Sequence, residues 1–319
     1  MPANAESAAK AHSSRRLGML FVAGGAILFA SKGIFSKALY HRGAGFELVV
    51  TVRALLAMPL FAWIALRPGG PPSPGGDAAT AAPRAGAVLA AVVAGILCYY
   101  VGALLDFWAL MLIDASIERV LLFSYPAVVV LISSVMTRRA PERRLVFAMS
   151  MTWLGIFFAM GGVDLGELRQ NLFGAALVLM AALTTALYFL IGERYTHELG
   201  STRFAAIAMG ASAVVLAVHF TLFRSWSELA VLEAHDWWLL GVLAIACMFL
   251  PGLMQAEGVR SVGAQRAAIG STVGPPATIV LAAIFLGERL NGWQLLGTAM
   301  IIASVLALSV LPGKESREI

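Results

Sequence analysis

Charged side chains that lie inside otherwise apolar segments are the residues of this sequence best placed to do chemistry. Lys32, Arg53 and Asp106 each interrupt a long apolar run, and Glu118 is followed directly by Arg119 near the start of another. A charge inside the hydrocarbon layer of a membrane costs about 2.5–3.5 kcal/mol on insertion scales. Such residues therefore pair with one another or face a wet cavity, and both cases predict a polar centre within an apolar protein.

Two interpretations of this centre remain open from the sequence. In the functional one, Lys32 and Arg119 attract a substrate carboxylate, while Asp106 or Glu118 binds an amine or a proton. In the structural one, the residues pair with each other and hold the helices together, or extend to the membrane surface. Glu118 and Arg119 are adjacent and point in different directions on a helix, so we expect only one of them to line a cavity.

The signs of these charges are balanced in the sequence. Four cations within or beside the first four apolar runs are matched by four acids: Lys32, Lys37, Arg53 and Arg119 against Glu47, Asp106, Asp114 and Glu118. A balanced set can form ion pairs, so we expect Asp106 or Glu118 to approach Lys32.

Further candidates are polar or aromatic residues of the apolar runs. Tyr125 and Tyr188 combine an apolar ring with a polar tip, which suits a flat or amphipathic substrate. In the second half of the chain, Gln255 occupies the position equivalent to Asp106. Glu257 lies nearby, either as a proton site at an inner gate or as a residue of the membrane interface.

The elements that position these residues are transmembrane helices. The 319 residues are 60% hydrophobic and only 13% charged, whereas soluble domains carry about 25% charged residues. Ten apolar runs approach or exceed the roughly 20 residues that span a bilayer as a helix; they cover 17–39, 46–66, 86–111, 115–137, 145–163, 171–192, 203–223, 237–259, 264–286 and 292–311. We therefore predict an all-α membrane protein of ten transmembrane helices.

The distribution of Lys and Arg predicts the orientation. With a cytoplasmic N-terminus, 15 of the 23 basic residues fall in cytoplasmic segments, four fall outside, and the other four lie within or beside helices. Positive charge favours the cytoplasmic side, so we expect both tails, 1–16 and 313–319, in the cytoplasm and the protein in the plasma (inner) membrane. Residues 67–84 are rich in Pro, Gly and Ala, and they are predicted to form a flexible cytoplasmic loop.

An internal repeat divides the chain into residues 17–163 and 171–312. A shift of 149 residues places the third to fifth runs on the eighth to tenth without a gap, and it brings Cys98 onto Cys247. Five helices per half is an odd number, so the second half must enter the membrane from the opposite side. The sequence thus predicts two inverted five-helix repeats, the architecture of many alternating-access transporters.

Prolines occupy corresponding positions of the two halves. Pro126 matches Pro275, which is followed by Pro276, and both sites fall about halfway along their predicted helices. Proline removes an intrahelical hydrogen bond and breaks or kinks the helix. Paired breaks of this kind indicate a binding site near the midplane, although they are also compatible with tolerated kinks.

The chain resembles the EamA-type members of the drug/metabolite transporter superfamily over residues 17–312. The resemblance rests on the two five-helix halves, on the segment from Arg266 to Pro275, and on the LGERL sequence at 286–290. It implies a proton- or exchange-coupled carrier, or a facilitated exporter, of small organic molecules that are often amino acids or their derivatives.

We therefore predict a secondary-active or facilitative transporter of small organic metabolites. The expected direction is export of amino acids or related compounds by alternating access, with protons as a coupling ion and the lipid bilayer as surroundings. A multidrug exporter is the alternative, but Lys32 and Lys37 in the first helix disfavour a cationic substrate. An intramembrane enzyme or a non-transporting protein is a weaker hypothesis, and we expect no metal, cofactor or nucleic acid; the oligomeric state is open.

Overall fold

The computed structural model describes residues 17–66, 85–137, 143–159, 165–254, 271 and 273–310. Within these ranges the chain is helical and contains no β-strand. These ranges hold twelve longer helices and, between the ninth and tenth, a short 3-10 helix at Trp226–Val231. The longer helices are α1 (17–30), α2 (Lys32–His41), α3 (Phe46–Leu66), α4 (Ala85–Ala109), α5 (Ala115–Leu122), α6 (Tyr125–Thr137), α7 (Arg143–Ala159), α8 (Leu165–Leu199), α9 (Ser201–Phe223), α10 (Ala234–Met254), α11 (Gly274–Phe285) and α12 (Gly292–Val310). The predicted loop 67–84 and both predicted tails, 1–16 and 313–319, lie outside the described residues.

The outer surface of the helices is apolar. Among the residues that the structure describes, seven stretches are long and apolar enough to cross a membrane, and the continuous α1–α2 and α5–α6 stretches are two of them. Large apolar side chains such as Leu66, Leu222 and Phe285 are at least two-thirds exposed. A surface of this kind is stable against lipid and not against water, so the protein is an integral membrane protein; the count of ten spans stays a prediction.

Two of the long stretches are interrupted. Between α1 and α2, the Ser31 hydroxyl donates to the Leu28 carbonyl oxygen at 2.7 Å, a local bond that competes with regular helix geometry. Between α5 and α6, Phe123 and Ser124 form a turn, and Pro126 follows in the first turn of α6. The first interruption therefore directly precedes Lys32, and the second lies two residues before Pro126. Both residues were candidates from the sequence.

Pro275 and Pro276 occupy the first turn of α11 rather than the middle of a described helix. Proline is tolerated there because the first backbone N–H groups of a helix have no intrahelical partner. In the described residues they thus begin a helix instead of kinking one.

Helix starts recur at the same spacing in the two halves. Residue pairs that are 149 apart begin α4 and α10, α6 and α11, and α7 and α12. Inside α4 and α10, π-helical segments also begin 149 residues apart, at Ile96 and Ile245.

The packing of α7 against α12 has a symmetric register. Thr152 bonds to Ser304 through their hydroxyl groups at 2.6 Å, and Gly155 lies against Ile301. A shift of 149 converts one of these contacts into the other. Because one residue number rises as its partner's falls, the two helices run antiparallel.

The buried interior has two main apolar clusters. The larger one joins α2, α3, α4, α9 and α10 around Phe107 and Phe220, and the second joins α4, α5, α7, α8 and α12 around Val120 and Ile301. Helix α4 contributes to both. Phe107 of the larger cluster lies beside two buried charges, Lys32 of α2 and Arg53 of α3.

Candidate functional site

Lys32 is the centre of a buried ionic cluster. As the first residue of α2, it forms an ion pair with Asp106 of α4 and a second with Glu118 of α5, the latter at 3.2 Å between Nζ and Oε1. All three residues are at least nine-tenths buried. The sequence predicted that one of these two acids would approach Lys32, and the structure places both acids there.

Arg53 and Arg119 flank this cluster without entering an ion pair among the described residues. The Arg53 guanidinium lies 4.2 Å from the centroid of the Phe107 ring, and the Arg119 guanidinium lies 4.8 Å from that of Phe29. Both arginines are more than nine-tenths buried. The buried Nε of each has no hydrogen-bond partner, which is costly for a charged donor.

The five ionisable groups therefore carry a positive excess. Lys32, Arg53 and Arg119 oppose only Asp106 and Glu118, which leaves one positive charge when all are ionised. Since Lys32 and Arg53 lie at 5.3 Å and 4.2 Å from the same Phe107 centroid, their charges are within about 10 Å. At that separation they repel by about 1.7 kcal/mol at an effective dielectric constant of about 20.

The aromatic candidates form a continuous row. Tyr125 stacks on Phe189 with ring centroids 5.2 Å apart. Phe189 contacts Tyr188, which packs edge-on against Tyr99 at 5.2 Å. All three tyrosines are half-buried, and the row begins at Tyr125, the first residue of α6. The four contacting rings form an apolar surface that carries the hydroxyl groups of the three tyrosines.

Gln255 and Glu257 lie outside the described residues, so their position relative to the cluster stays a prediction. Pro126, Pro275 and Pro276 lie in the first turns of α6 and α11, the equivalent helices of the two halves.

Glu288 has a structural role that the sequence did not predict. Its carboxylate accepts hydrogen bonds from the backbone N–H groups of Ala115 and Ser116, at 2.9 Å and 3.1 Å, and from the Ser116 hydroxyl at 2.8 Å. It also pairs with Lys37 at 3.2 Å. Asp114, at the usual capping position, makes no side-chain cap, so Glu288 caps α5, which carries Glu118 and Arg119. The LGERL motif was the available signal.

A second set of ion pairs, which we call the polar rim, consists of Arg42, Glu47, Arg224, Glu233 and Asp236. Arg42 binds Asp236 and, at 2.6 Å, Glu233, while Arg224 binds Glu47. The hydrogen bond to Asp236 raises the pKa of the Arg42 guanidinium. A cavity of about 280 Å³ opens beside Arg42, Arg224 and Asp236. The rim connects the α2–α3 turn and the start of α3 to the end of α9 and the start of α10.

Chemically, the buried cluster is suited to binding ions and exchanging protons. Its acids accept protons, and one oxygen of Asp106 is buried without a hydrogen-bond partner. Each of its two arginines has a buried Nε donor that no described protein group satisfies.

The sequence is similar to known transporters along most of its length. The model of the EamA-like transporter family matches residues 16–161 and again residues 172–310. A Bacillus subtilis (strain 168) protein described as the uncharacterized transporter YcbK is 31% identical over 305 residues, which cover 95% of this chain and 94% of the relative. An uncharacterized transporter of Archaeoglobus fulgidus is 24% identical over 194 residues, or 60% of this chain and 66% of that protein.

A solved crystal structure of another protein matches the fold. It superposes with a TM-score of 0.57, covers 91% of this chain and 96% of its own, and is 14% identical; at that identity the match shows the fold alone. The family match in both halves and the long relative agree with the apolar helices, and they make the protein a membrane transporter and not an enzyme. The chain belongs to the EamA-like transporter family.

Proposed function

We propose that the protein is a secondary-active or facilitative carrier that exports small organic metabolites, amino acids or related compounds, by alternating access. The observation that carries this proposal is the buried cluster of Lys32, Asp106 and Glu118, flanked by Arg53 and Arg119. Ionisable groups buried within a membrane protein are expensive and mark substrate or ion pathways.

Alternating access is supported by the recurrence of helix starts at 149 residues and by the symmetric contacts of α7 with α12. Antiparallel packing under such a shift is what a two-fold axis in the membrane plane produces. We therefore retain two inverted five-helix repeats of ten spans in total, with the cluster near their interface. The family resemblance supports amino acids or related compounds as substrates and export as the direction, and the Lys and Arg distribution supports cytoplasmic termini in the plasma (inner) membrane.

The polar rim has the properties of a gate in this scheme. Its pairs link the α2–α3 region to α9 and α10, so separation of these helices must break them. Exposed or partly exposed ion pairs contribute only about 0–1 kcal/mol each, which allows them to open and close during turnover. In the orientation that we propose, the rim faces outward.

The charge of the cluster disfavours the alternative of a multidrug exporter for lipophilic cations. Three buried cations face two acids, so an added cation would increase an existing excess. One Asp106 oxygen without a hydrogen-bond partner supports a proton as the coupling ion, provided that an anionic group of the substrate binds with it and offsets its charge.

The test is transport by purified protein in proteoliposomes. Vesicles are offered labelled amino acids and related metabolites, with and without a pH gradient, and uptake is compared with vesicles that contain an Asp106→Asn variant. We expect saturable transport of at least one compound, stimulated by the gradient in the wild type and not in the variant. A second measurement with oppositely directed gradients gives the direction. Absence of transport for the whole panel contradicts the substrate class.

A further inference from the structure

We propose that Arg119 and the adjoining start of α11 bind the carboxylate of a substrate that carries a net negative charge. This inference rests on the proposed function and names the chemical class of substrate for the same site. Organic monocarboxylates are the simplest members of that class.

Among the residues that the structure describes, the charges of the cluster leave one positive charge that a bound anion would offset. Lys32 is neutralised by its contacts with Asp106 and Glu118, but Arg53 and Arg119 have no acid of their own among the described residues. Arginine does not lose its proton in proteins, so the excess cannot be removed at the guanidinium groups. Protonation of either acid would only increase it. One bound carboxylate restores neutrality.

The geometry favours Arg119 over Arg53 as the direct ligand. A side chain added at Gly274, the first residue of α11, would place its Cβ only 3.0 Å from Nη2 of Arg119. Glycine therefore allows the guanidinium to pack directly against the backbone at the start of α11. The same position is the N-terminus of a 12-residue helix, where the helix dipole favours an anion.

The prolines of α11 determine how the anion is held. Pro275 and Pro276 lack backbone N–H groups, and the N–H of Ala277 already donates to the Val273 carbonyl oxygen at 3.0 Å. The helix start thus contributes mainly its electric field. The hydrogen bonds must come from Arg119, whose buried Nε has no partner and whose planar fork matches a carboxylate.

The remainder of the substrate has an apolar place to lie. Phe29 lies under the Arg119 guanidinium at 4.8 Å, and Tyr125 is near it at the start of the aromatic row. A carboxylate with a short aliphatic or aromatic tail fits this combination of one charged end and one apolar end.

The experiment measures the thermal unfolding midpoint of the purified full-length protein in detergent. The probes are acetate, lactate, butyrate and 3-phenylpropionate, each compared with the amide of the same carbon skeleton at equal ionic strength. We expect at least one carboxylate to raise the midpoint in a saturable manner, and its amide to leave the midpoint unchanged. No shift with any carboxylate, or an equal shift with the amide, would overturn the proposal.

Two variants locate the site. Arg119→Gln should weaken binding of the responding carboxylate by about 10- to 100-fold, the usual value of hydrogen bonds to a charged group. Arg53→Gln, which removes the same charge without removing the ligand, should weaken it less. Because no acid of the described residues pairs with Arg119, the ligand-free Arg119→Gln protein should unfold no earlier than the wild type. Unchanged binding by Arg119→Gln, or a large loss of its folded protein, would contradict the assignment.

These experiments distinguish failure of the proposed substrate class from failure of the proposed carrier function. Carboxylate binding without transport of the same compound would leave the anion site intact and refute the carrier function. Saturable transport of amines, with no response to any carboxylate, would support a carrier and refute the anion site.

Discussion

Lys32 is expected to be the most sensitive single residue for the stability of this protein. Substitution Lys32→Met removes the cation that Asp106 and Glu118 share and leaves both acids buried. Loss of one partner of a buried ion pair typically costs about 3–5 kcal/mol. Since both carboxylates contact the same Nζ atom, one at 3.2 Å and the other closer, their oxygens are within about 6 Å and repel by about 3 kcal/mol at an effective dielectric constant of about 20.

The assay is the thermal unfolding midpoint of purified protein in detergent, followed by the loss of the folded peak in size-exclusion chromatography. With about 2–4 °C per kcal/mol for larger domains, we expect Lys32→Met to lower the midpoint by roughly 10 °C. The matched control is Lys37→Met on the same helix. Its partners keep other stabilising contacts, because Glu288 retains three hydrogen bonds to Ala115 and Ser116 and Asp114 is nearly half exposed.

Removal of the stranded acids should reverse the effect. Lys32→Met combined with Asp106→Asn should recover part of the midpoint, and the further change Glu118→Gln should recover most of it, because no unpaired carboxylate then remains. A midpoint for Lys32→Met within about 2 °C of the wild type would refute the reasoning, since it would show that the acids do not depend on Lys32. Failure of the triple variant to recover would show that Lys32 acts through packing.

Three further predictions follow from other parts of the structure. Glu288→Gln should lower the unfolding midpoint by the equivalent of about 1–3 kcal/mol, because a charged cap of α5 is lost; Arg289→Gln at the exposed neighbouring position is the control, and equal effects would contradict the capping role. Gly274→Ala should weaken carboxylate binding by crowding the Arg119 guanidinium, whereas Gly241→Ala, where no atom lies within 4 Å of the added Cβ, should not. Binding constants from midpoint titrations of the two variants test this, and equal binding would refute the crowding. Reporter proteins fused at Pro74 and at the C-terminus should both be cytoplasmic, and periplasmic activity of both would reverse the proposed orientation.

The helices could be located from the sequence because a single property, apolar composition, determines them. Every one of the ten apolar runs contains a helix in the described residues, and the 149-residue shift that aligned Cys98 with Cys247 also aligns the π-helical segments around them. The partner of Lys32 was also predictable, because depth in the bilayer limits which acids a buried cation can reach.

The interruptions and caps were not predictable in the same way, because they depend on contacts between distant segments. Pro275 was expected in the middle of a helix, but it lies in the first turn of α11. Glu288 is about 170 residues from the N-terminus of α5 that it caps. Asp114 occupies the usual capping position, yet its side chain does not cap α5. The sequence around it gives no sign of this.

The charge balance shows most clearly what sequence alone lacks. The first four apolar runs contain four cations and four acids within or beside them, so their net charge is zero. In the structure, Glu47 binds Arg224 at the polar rim, and Asp114 and Glu288 contact Lys37. These contacts withdraw two of the acids from the buried group.

What remains buried is Lys32 with its two acids, and two arginines that no acid of the described residues contacts. Removal of the Lys32 cation is expected to lower the stability of the protein. Removal of the Arg119 cation is expected to weaken ligand binding instead. Substitutions of Lys32 and of Arg119 should therefore have opposite signatures, although both remove one positive charge from beside the same Phe29 ring. The distinction between a structural and a functional charge thus depends on which acids are committed elsewhere, and only the folded arrangement determines that.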